Sequence, residues 1–282
     1  MLPLEDWRRD GTTMAWRGHA IFTRTAGAGE PLLLVHGFPT SSWDWHAVWA
    51  RLAARFRLIT FDLLGFGFSA KPRDHGYRIV DQADLCEAVL AHHGVSRCRV
   101  LAHDYGNTVT QELLARPRDR TLAVAIDAVT FLNGGLFPEA HHPLLMQRLL
   151  ASRLGPWLVP LSGFRTFGRS LRRIWGQRPL PDDELAAMWE LVTASDGVVV
   201  LPKLLGYLAQ RRAHRARWVG AIVEAGIPLR LIDGVVDPIS GASLVARYRE
   251  LVRDADVVEL PTVGHYPQVE APDTVVDAMT AP

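Results

Sequence analysis

The sequence is organised around seven residues, Leu101-Ala102-His103-Asp104-Tyr105-Gly106-Asn107. Apolar residues at 100–102 lead into a short polar turn and a helix-like segment follows at 108–116, so Asp104 falls where a buried strand hands over to a helix. Ala102 and Gly106, two places to either side, are small enough for strand and helix to pack closely, which pushes the central residue into a strained, exposed position. The N–H groups and positive end of the following helix favour the ionised form of an aspartate placed there. Such a carboxylate can displace a leaving group from saturated carbon, forming an ester that water must then cleave. An aspartate ahead of a helix also serves simply as an N-cap. The chemical reading needs an acid and a histidine further along the chain.

Upstream, Pro31-Leu32-Leu33-Leu34-Val35 is an unbroken apolar run of the kind found in parallel strands covered on both faces, and it ends in His36-Gly37-Phe38-Pro39. Shorter strands are expected at 12–17 and 20–25, joined at Gly18, and at 57–61. The last of these runs into Asp62-Leu63-Leu64-Gly65-Phe66-Gly67-Phe68-Ser69, which lacks the third glycine and opening helix of a dinucleotide fingerprint and therefore reads as a structural turn. A helix at 80–93 precedes the strand at 99–102, and a strand at 122–129 closes a first block at 133. Strands alternating with helices predict an α/β fold, with a mostly parallel central sheet flanked by helices.

From 134 to 225 the texture changes to helix alone, with segments expected at 144–150, 171–175, 183–193 and 201–212, broken by repeated prolines. Strand character resumes at 228–234 and 257–260. The predicted division is a core of 1–133 and 226–282 carrying an inserted helical cap of 134–225, a lid over the carboxyl ends of the strands. Just past the two late strands stand Asp237, in Gly234-Val235-Val236-Asp237-Pro238, and His265, in Val263-Gly264-His265-Tyr266-Pro267. A lone loop acid or histidine is most often structural, whereas Asp104, Asp237 and His265 in this order form a set.

Composition removes several alternatives. Thirty-one basic against 30 acidic residues leave a net charge of +1, which offers no electrostatic case for nucleic acid or a membrane surface. Arginine-rich pieces such as Arg211-Arg212 and Arg215-Ala216-Arg217 read as solvated helix faces. Cys86 and Cys98 are too few for a disulfide framework and sit at no metal-ligand spacing, which fits a reducing compartment. The first ten residues lack the apolar stretch of a signal peptide, and no uninterrupted apolar run reaches membrane-spanning length. A cytoplasmic protein is expected, with neither membrane nor nucleic acid as partner. Oligomeric state is left open, a homodimer included.

Taken together, the motifs resemble those of α/β-hydrolases of the epoxide hydrolase and haloalkane dehalogenase branch, over nearly the whole chain. More narrowly, HGFPTSSWDW (36–45), the turn at 63–69, His103-Asp104-Tyr105-Gly106, LNGGLFP (132–138) and Arg217-Trp218-Val219-Gly220-Ala221 resemble the mesoderm-specific transcript proteins, epoxide-hydrolase-like members of the branch. The resemblance implies Asp104 as nucleophile, His265 as the base that deprotonates water, and Asp237 as the acid that orients it. The backbone N–H groups of Phe38 and Tyr105 would form the oxyanion hole. It also implies an epoxide opened to a vicinal diol, a small hydrophobic substrate, and no metal or organic cofactor.

Epoxide hydrolases usually protonate the opening oxygen with two lid tyrosines. Of the five tyrosines only Tyr207 lies in the expected lid, which makes it the candidate donor against the plainer reading of a core aromatic. His141 or His142 could be a second donor, though location alone suggests them and a surface position is expected. Haloalkane dehalogenases typically hold the halide with a Trp after the nucleophile, and fluoroacetate dehalogenases carry Arg there; Tyr105 takes that place, so dehalogenation by the same triad is the second reading. Asp104 opposes a serine esterase, and the complete triad opposes a non-catalytic binding member of the fold. Trp43, Trp45, Trp49, Trp157, Trp175 and Trp189 either line an apolar pocket or fill cores.

Overall fold

The computed structural model describes residues 2–119, 122–159 and 163–280. Its strands are β1 (Thr12–Trp16), β2 (His19–Ala26), β3 (Glu30–Val35), β4 (Phe56–Phe61), β5 (Arg97–Ala102), β6 (Ala125–Phe131), β7 (Leu229–Gly234) and β8 (Asp256–Leu260). They form one eight-stranded sheet in the order β1-β2-β4-β3-β5-β6-β7-β8. The β1–β2 and β2–β4 pairs are antiparallel and all the others parallel.

The unbroken apolar run of β3 has its reason in this arrangement. Successive side chains point to opposite faces of a strand. Leu32 and Leu34 accordingly join one buried cluster, with Trp43, Trp45 and Ile232, while Leu33 and Val35 join another, with Ile59, Val100 and Val109. All four are 0% exposed. Burial of each contributes about 1.5–3 kcal/mol, which only a strand covered on both sides can collect.

Four helices accompany the first strands: α1 (Leu4–Arg9), α2 (Trp49–Ala53), α3 (Ile79–His92) and α4 (Tyr105–Asp119). Between β6 and β7 the described residues form helices and loops without a strand, with α5 (Leu145–Leu150), α6 (Gly155–Leu158), α7 (Phe164–Ile174), α8 (Asp182–Thr193), α9 (Leu201–Leu204), α10 (Tyr207–Ala213) and α11 (Arg215–Val223). After β7 come α12 (Ala242–Leu251), α13 (Pro267–Glu270) and α14 (Pro272–Thr280). Residues of α3, α4, α11 and α12 build the cluster on one face of the sheet, and those of α2 and α14 the cluster on the other.

Several boundaries differ from expectation. The strand expected at 122–129 runs from Ala125 to Phe131, and the helix expected at 171–175 starts seven residues earlier, as α7. The segment 201–212 is two helices, because the chain turns at Leu205 and Gly206, where glycine weakens a helix. The stretch Asp182–Ala213 is apolar, with a mean hydropathy of 1.4 over its best window. It is no single rod, since Ser195 and Asp196 take positive φ and break it. α1 lies where no helix is predicted. α11 lies inside the expected cap range yet packs against α4, with Trp218 Nε1–H and the Arg217 guanidinium both held at 2.8 Å by the Glu112 carboxylate. A second tie joins the insertion to the core, His46 Nε2 lying 3.2 Å from the buried Glu184 carboxylate of α8.

Candidate active site

β5 ends at Ala102 and α4 starts at Tyr105, leaving Asp104 in the turn with φ 42°, a left-handed conformation that only a surrounding scaffold sustains. The scaffold is a close approach of α4 to β3: a Cβ on Gly106 would stand 2.2 Å from the Val35 carbonyl oxygen, so only glycine fits. Asp104 N–H donates to the Asn133 carbonyl at 2.9 Å, tying the turn to the end of β6. Strain is as expected but exposure is not. Asp104 is 2% exposed, because the helical insertion covers it.

Asp237 and His265 meet it from the ends of β7 and β8. His265 Nδ1–H donates to Asp237 Oδ2 at 2.6 Å. That carboxylate also receives the Ser240 hydroxyl at 2.7 Å, the Ser240 N–H at 3.1 Å, the Ile239 N–H at 2.8 Å and Asn133 Nδ2–H at 3.2 Å. Burial alone would raise the Asp237 pKa, but the histidine charge and these donors hold it below the usual carboxylate value. Burial likewise opposes the charged form of His265, yet Asp237, by charge and hydrogen bond, and then the charge of Asp104 push it up to about 9. The His265 backbone is further held by His103, whose Nε2–H donates to the His265 carbonyl at 2.7 Å and whose burial keeps it neutral.

Backbone bonds tie the histidine loop to the insertion. His265 N–H donates to the Ile174 carbonyl at 2.8 Å and Gln177 N–H to that of Thr262 at 2.9 Å. Glu270, which sequence reasoning passed over, gathers Gly176 N–H at 2.7 Å, Gly264 N–H at 3.0 Å and Tyr266 N–H at 3.0 Å on one carboxylate.

On the other side, Phe38 N–H donates to Asp104 Oδ2 at 3.1 Å, as an oxyanion-hole donor would. The Tyr105 N–H makes no such bond to this carboxylate among the described residues. The loop carrying Phe38 is fixed from beneath: His36 Nε2 accepts the Leu63 N–H at 3.0 Å, and Asp62 accepts the Ser42 N–H at 2.8 Å and the Phe68 N–H at 2.6 Å. The turn at 62–69 is therefore structural, as expected.

Three residues of the insertion reach the elbow. Tyr207 is fully buried, its ring 5.0 Å from that of Tyr105, and its hydroxyl has no hydrogen-bond partner among the described residues. Burial first, and then the charge of Asp104, push its pKa up, so it stands as an un-ionised donor. Arg211 corrects a sequence expectation. Far from lying on a solvated face, it is 2% exposed, with Nε–H on the Thr108 hydroxyl at 2.6 Å and Nη2 3.1 Å from the Asp104 carbonyl and 3.7 Å from its Oδ1. Its guanidinium lies 4.4 Å over the Tyr207 ring. Room for it comes from Gly135, where a Cβ would stand 2.1 Å from Nη1. The signal was available: Tyr207 and Arg211 are one helical turn apart, so a tyrosine aimed inward brings an inward arginine with it. Of the two histidines, His142 is exposed and His141 is buried, pulled down to about 3 by burial and the Arg211 charge.

A mostly apolar cavity opens beside His265, lined by Phe38, Phe167, Trp189, Leu205 and Ile239 among others. Such a lining suits an apolar guest. Of the six tryptophans considered for it only Trp189 contributes; Trp43, Trp45 and Trp49 fill the core, Trp175 stacks on Tyr266, and Trp157 is 83% exposed.

Comparison with known proteins bears on the family and the fold. Residues 30–272 match the alpha/beta hydrolase fold family. The mesoderm-specific transcript protein of Mus musculus is 41% identical over 95% of this chain and 84% of its own length. LipZ of Mycobacterium tuberculosis is 39% identical over 98% of this chain and 96% of its own. Among solved structures, haloalkane dehalogenase DbeA of Bradyrhizobium elkani superposes with a TM-score of 0.78 at 23% identity, covering 95% of each chain. Epoxide hydrolase CorEH does so with a TM-score of 0.77 at 19% identity, over 95% of this chain and 96% of its own. These last two share the fold. A sheet with this strand order, a strained elbow and a family match over most of the length lead to one conclusion: the chain belongs to the α/β-hydrolase fold family, in the company of the mesoderm-specific transcript proteins.

Proposed function

We propose that this protein is a hydrolase that opens epoxides to vicinal diols through an ester on Asp104, with the helical insertion as the cap over its site. The observation that carries the proposal is the buried hydroxyl of Tyr207, without a hydrogen-bond partner among the described residues, on a ring packed against Tyr105 and within the field of Asp104 in its strained elbow. Asp104 attacks a ring carbon and the carbon–oxygen bond breaks. The departing oxygen takes its proton from Tyr207, whose phenolate is balanced by the guanidinium 4.4 Å from its ring. No halide needs such a proton, which favours epoxide opening over dehalogenation.

The second half belongs to His265. While Asp104 is charged, its field helps hold the imidazole protonated, with a pKa raised from 6.5 to about 9. Esterification removes that charge, and the imidazolium, its hold on the proton weakened, gives that proton to solvent and becomes a free base. His265 then takes a proton from water, and the hydroxide adds to the ester carbonyl of Asp104. The oxyanion formed is stabilised by the Phe38 N–H and, once the carbonyl becomes tetrahedral, by that of Tyr105. Collapse releases the diol and restores the Asp104 carboxylate; the proton taken from water passes from His265 to the Tyr207 phenolate, and the imidazole regains its own proton from solvent.

Intact-mass measurement of His265→Gln after incubation with a panel of epoxides and haloalkanes tests the reading. Without the base, the ester should accumulate with a mass gain equal to a whole epoxide. A gain equal to a haloalkane less its halogen would replace epoxide opening by dehalogenation, and a panel without any adduct would sink the covalent mechanism for these substrates.

A further inference from the structure

The near-zero net charge conceals a strongly uneven distribution. Residues 140–181 contain no Asp or Glu and seven arginines, so the remaining 240 residues carry 24 basic against all 30 acidic side chains. All seven arginines are exposed. Arg172 pairs with Asp182 at 2.6 Å, and the other six form no ion pair among the described residues.

The same stretch collects exposed apolar side chains. Of the eight large hydrophobic residues exposed among the described residues, five fall here: Leu145, Leu149, Leu154, Trp157 and Phe164. Trp157 at 83% and Leu145 at 70% are the most exposed of all. α7 shows why charge and apolar surface share one side. Its Gly168, Leu171 and Ile174 face the protein, which leaves Phe164, Arg165, Arg169, Arg172 and Arg173 outside. α5 is built likewise, with Leu150 buried and Leu145, Arg148 and Leu149 outside. The inward sides of both helices line the apolar cavity, through Met146, Leu150, Phe167 and Leu171.

We propose that the face formed by α5, α6 and α7 docks on an anionic lipid bilayer. Arginines without acidic neighbours are drawn to an anionic surface, and leucine, phenylalanine and tryptophan side chains among them enter the boundary between headgroups and acyl chains. A protein partner would meet this charge with carboxylates, but it would leave unexplained why the most exposed side chain is a tryptophan at the tip of a four-residue helix. Docking would set the cavity against a reservoir of apolar molecules. That consequence rests on the hydrolase reading above; the docking itself does not.

The test is flotation of the full chain with vesicles of equimolar phosphatidylcholine and phosphatidylglycerol, against vesicles of phosphatidylcholine alone. Binding should favour the anionic vesicles by at least about tenfold and weaken with added salt. Two variants separate the contributions: Leu154→Ala with Trp157→Ala, and Arg165→Gln with Arg169→Gln and Arg173→Gln. Each should lose about tenfold or more in binding while keeping the wild-type melting temperature, because every altered side chain is exposed. Equal binding to both vesicles, or wild-type binding by both variants, would overturn the proposal. So would a wild-type dimer, seen by light scattering, that the Leu154 and Trp157 changes dissociate, since the face would then belong to a second copy of this chain. Mass-spectrometric adducts are read on the protein without vesicles, so the two proposals fail separately.

Discussion

The two sides of the Asp104 carboxylate are built on opposite plans. On the sheet side, both Asp237 oxygens are occupied, by four donors besides the imidazole it orients, and His265 is fixed through its ring and through its own backbone. On the cap side, the Tyr207 hydroxyl, Arg211 Nη1 and His141 Nε2 are all buried without hydrogen-bond partners among the described residues. A buried polar group left unpaired costs about 1–3 kcal/mol. On the proposed reading, the Asp237 and His265 pair is finished before substrate arrives, whereas the cap side would be completed by a polar atom of the substrate. This is how a site holds binding energy back for the transition state.

Altering Asp237 breaks the finished side. Asp237→Asn should lower turnover by roughly 10⁴ through loss of the imidazole's charge partner and tautomer. The melting temperature should fall too, because an amide cannot accept all the bonds the carboxylate accepts. A loss under tenfold would mean that His265 is not the base. Arg211→Gln attacks the junction of the two sides. We expect kcat to fall by roughly 10²–10³ with little change in KM, and Arg211→Lys to recover part of it as a charge without the planar fork. A pure packing role would instead lower stability in both variants and leave single-turnover ester formation intact. The smallest change, Tyr207→Phe, sharpens the contrast most. Epoxide opening should slow by about 10² while the melting temperature stays level or rises, since the hydroxyl removed has no partner to lose. Normal kinetics would return Tyr207 to the core.

The sheet side was largely readable in the sequence, and the cap side was not. Elbow, acid and histidine each follow a strand, and strands announce themselves by composition; a small residue on either side of Asp104 then fixes the turn type. The ends of strands were less well defined, as at β6, whose burial grades from exposed at Ala125 to buried at its last three residues with no alternation to mark where it begins or stops. In the cap, what matters is which way a helix faces, and prolines and short segments blur the period that would tell. Arg211 was therefore lost among Arg212, Arg215 and Arg217, which resemble it in sequence but not in orientation. His141 and His142 pose the same problem at its sharpest, adjacent in sequence and opposite in burial.

The pairing of the histidine loop with the segment at 174–177 sets a limit on how the enzyme can breathe. Since the His265 N–H is bonded to Ile174, swinging the whole cap away would drag the base off its acid. On the proposed hydrolase reading, the door would have to be smaller than the roof: guests would enter by local movement of the helices ahead of Ile174, with the bond to His265 kept. Opening the site and keeping the catalyst assembled are then compatible, and product can leave without the machinery being rebuilt for each cycle.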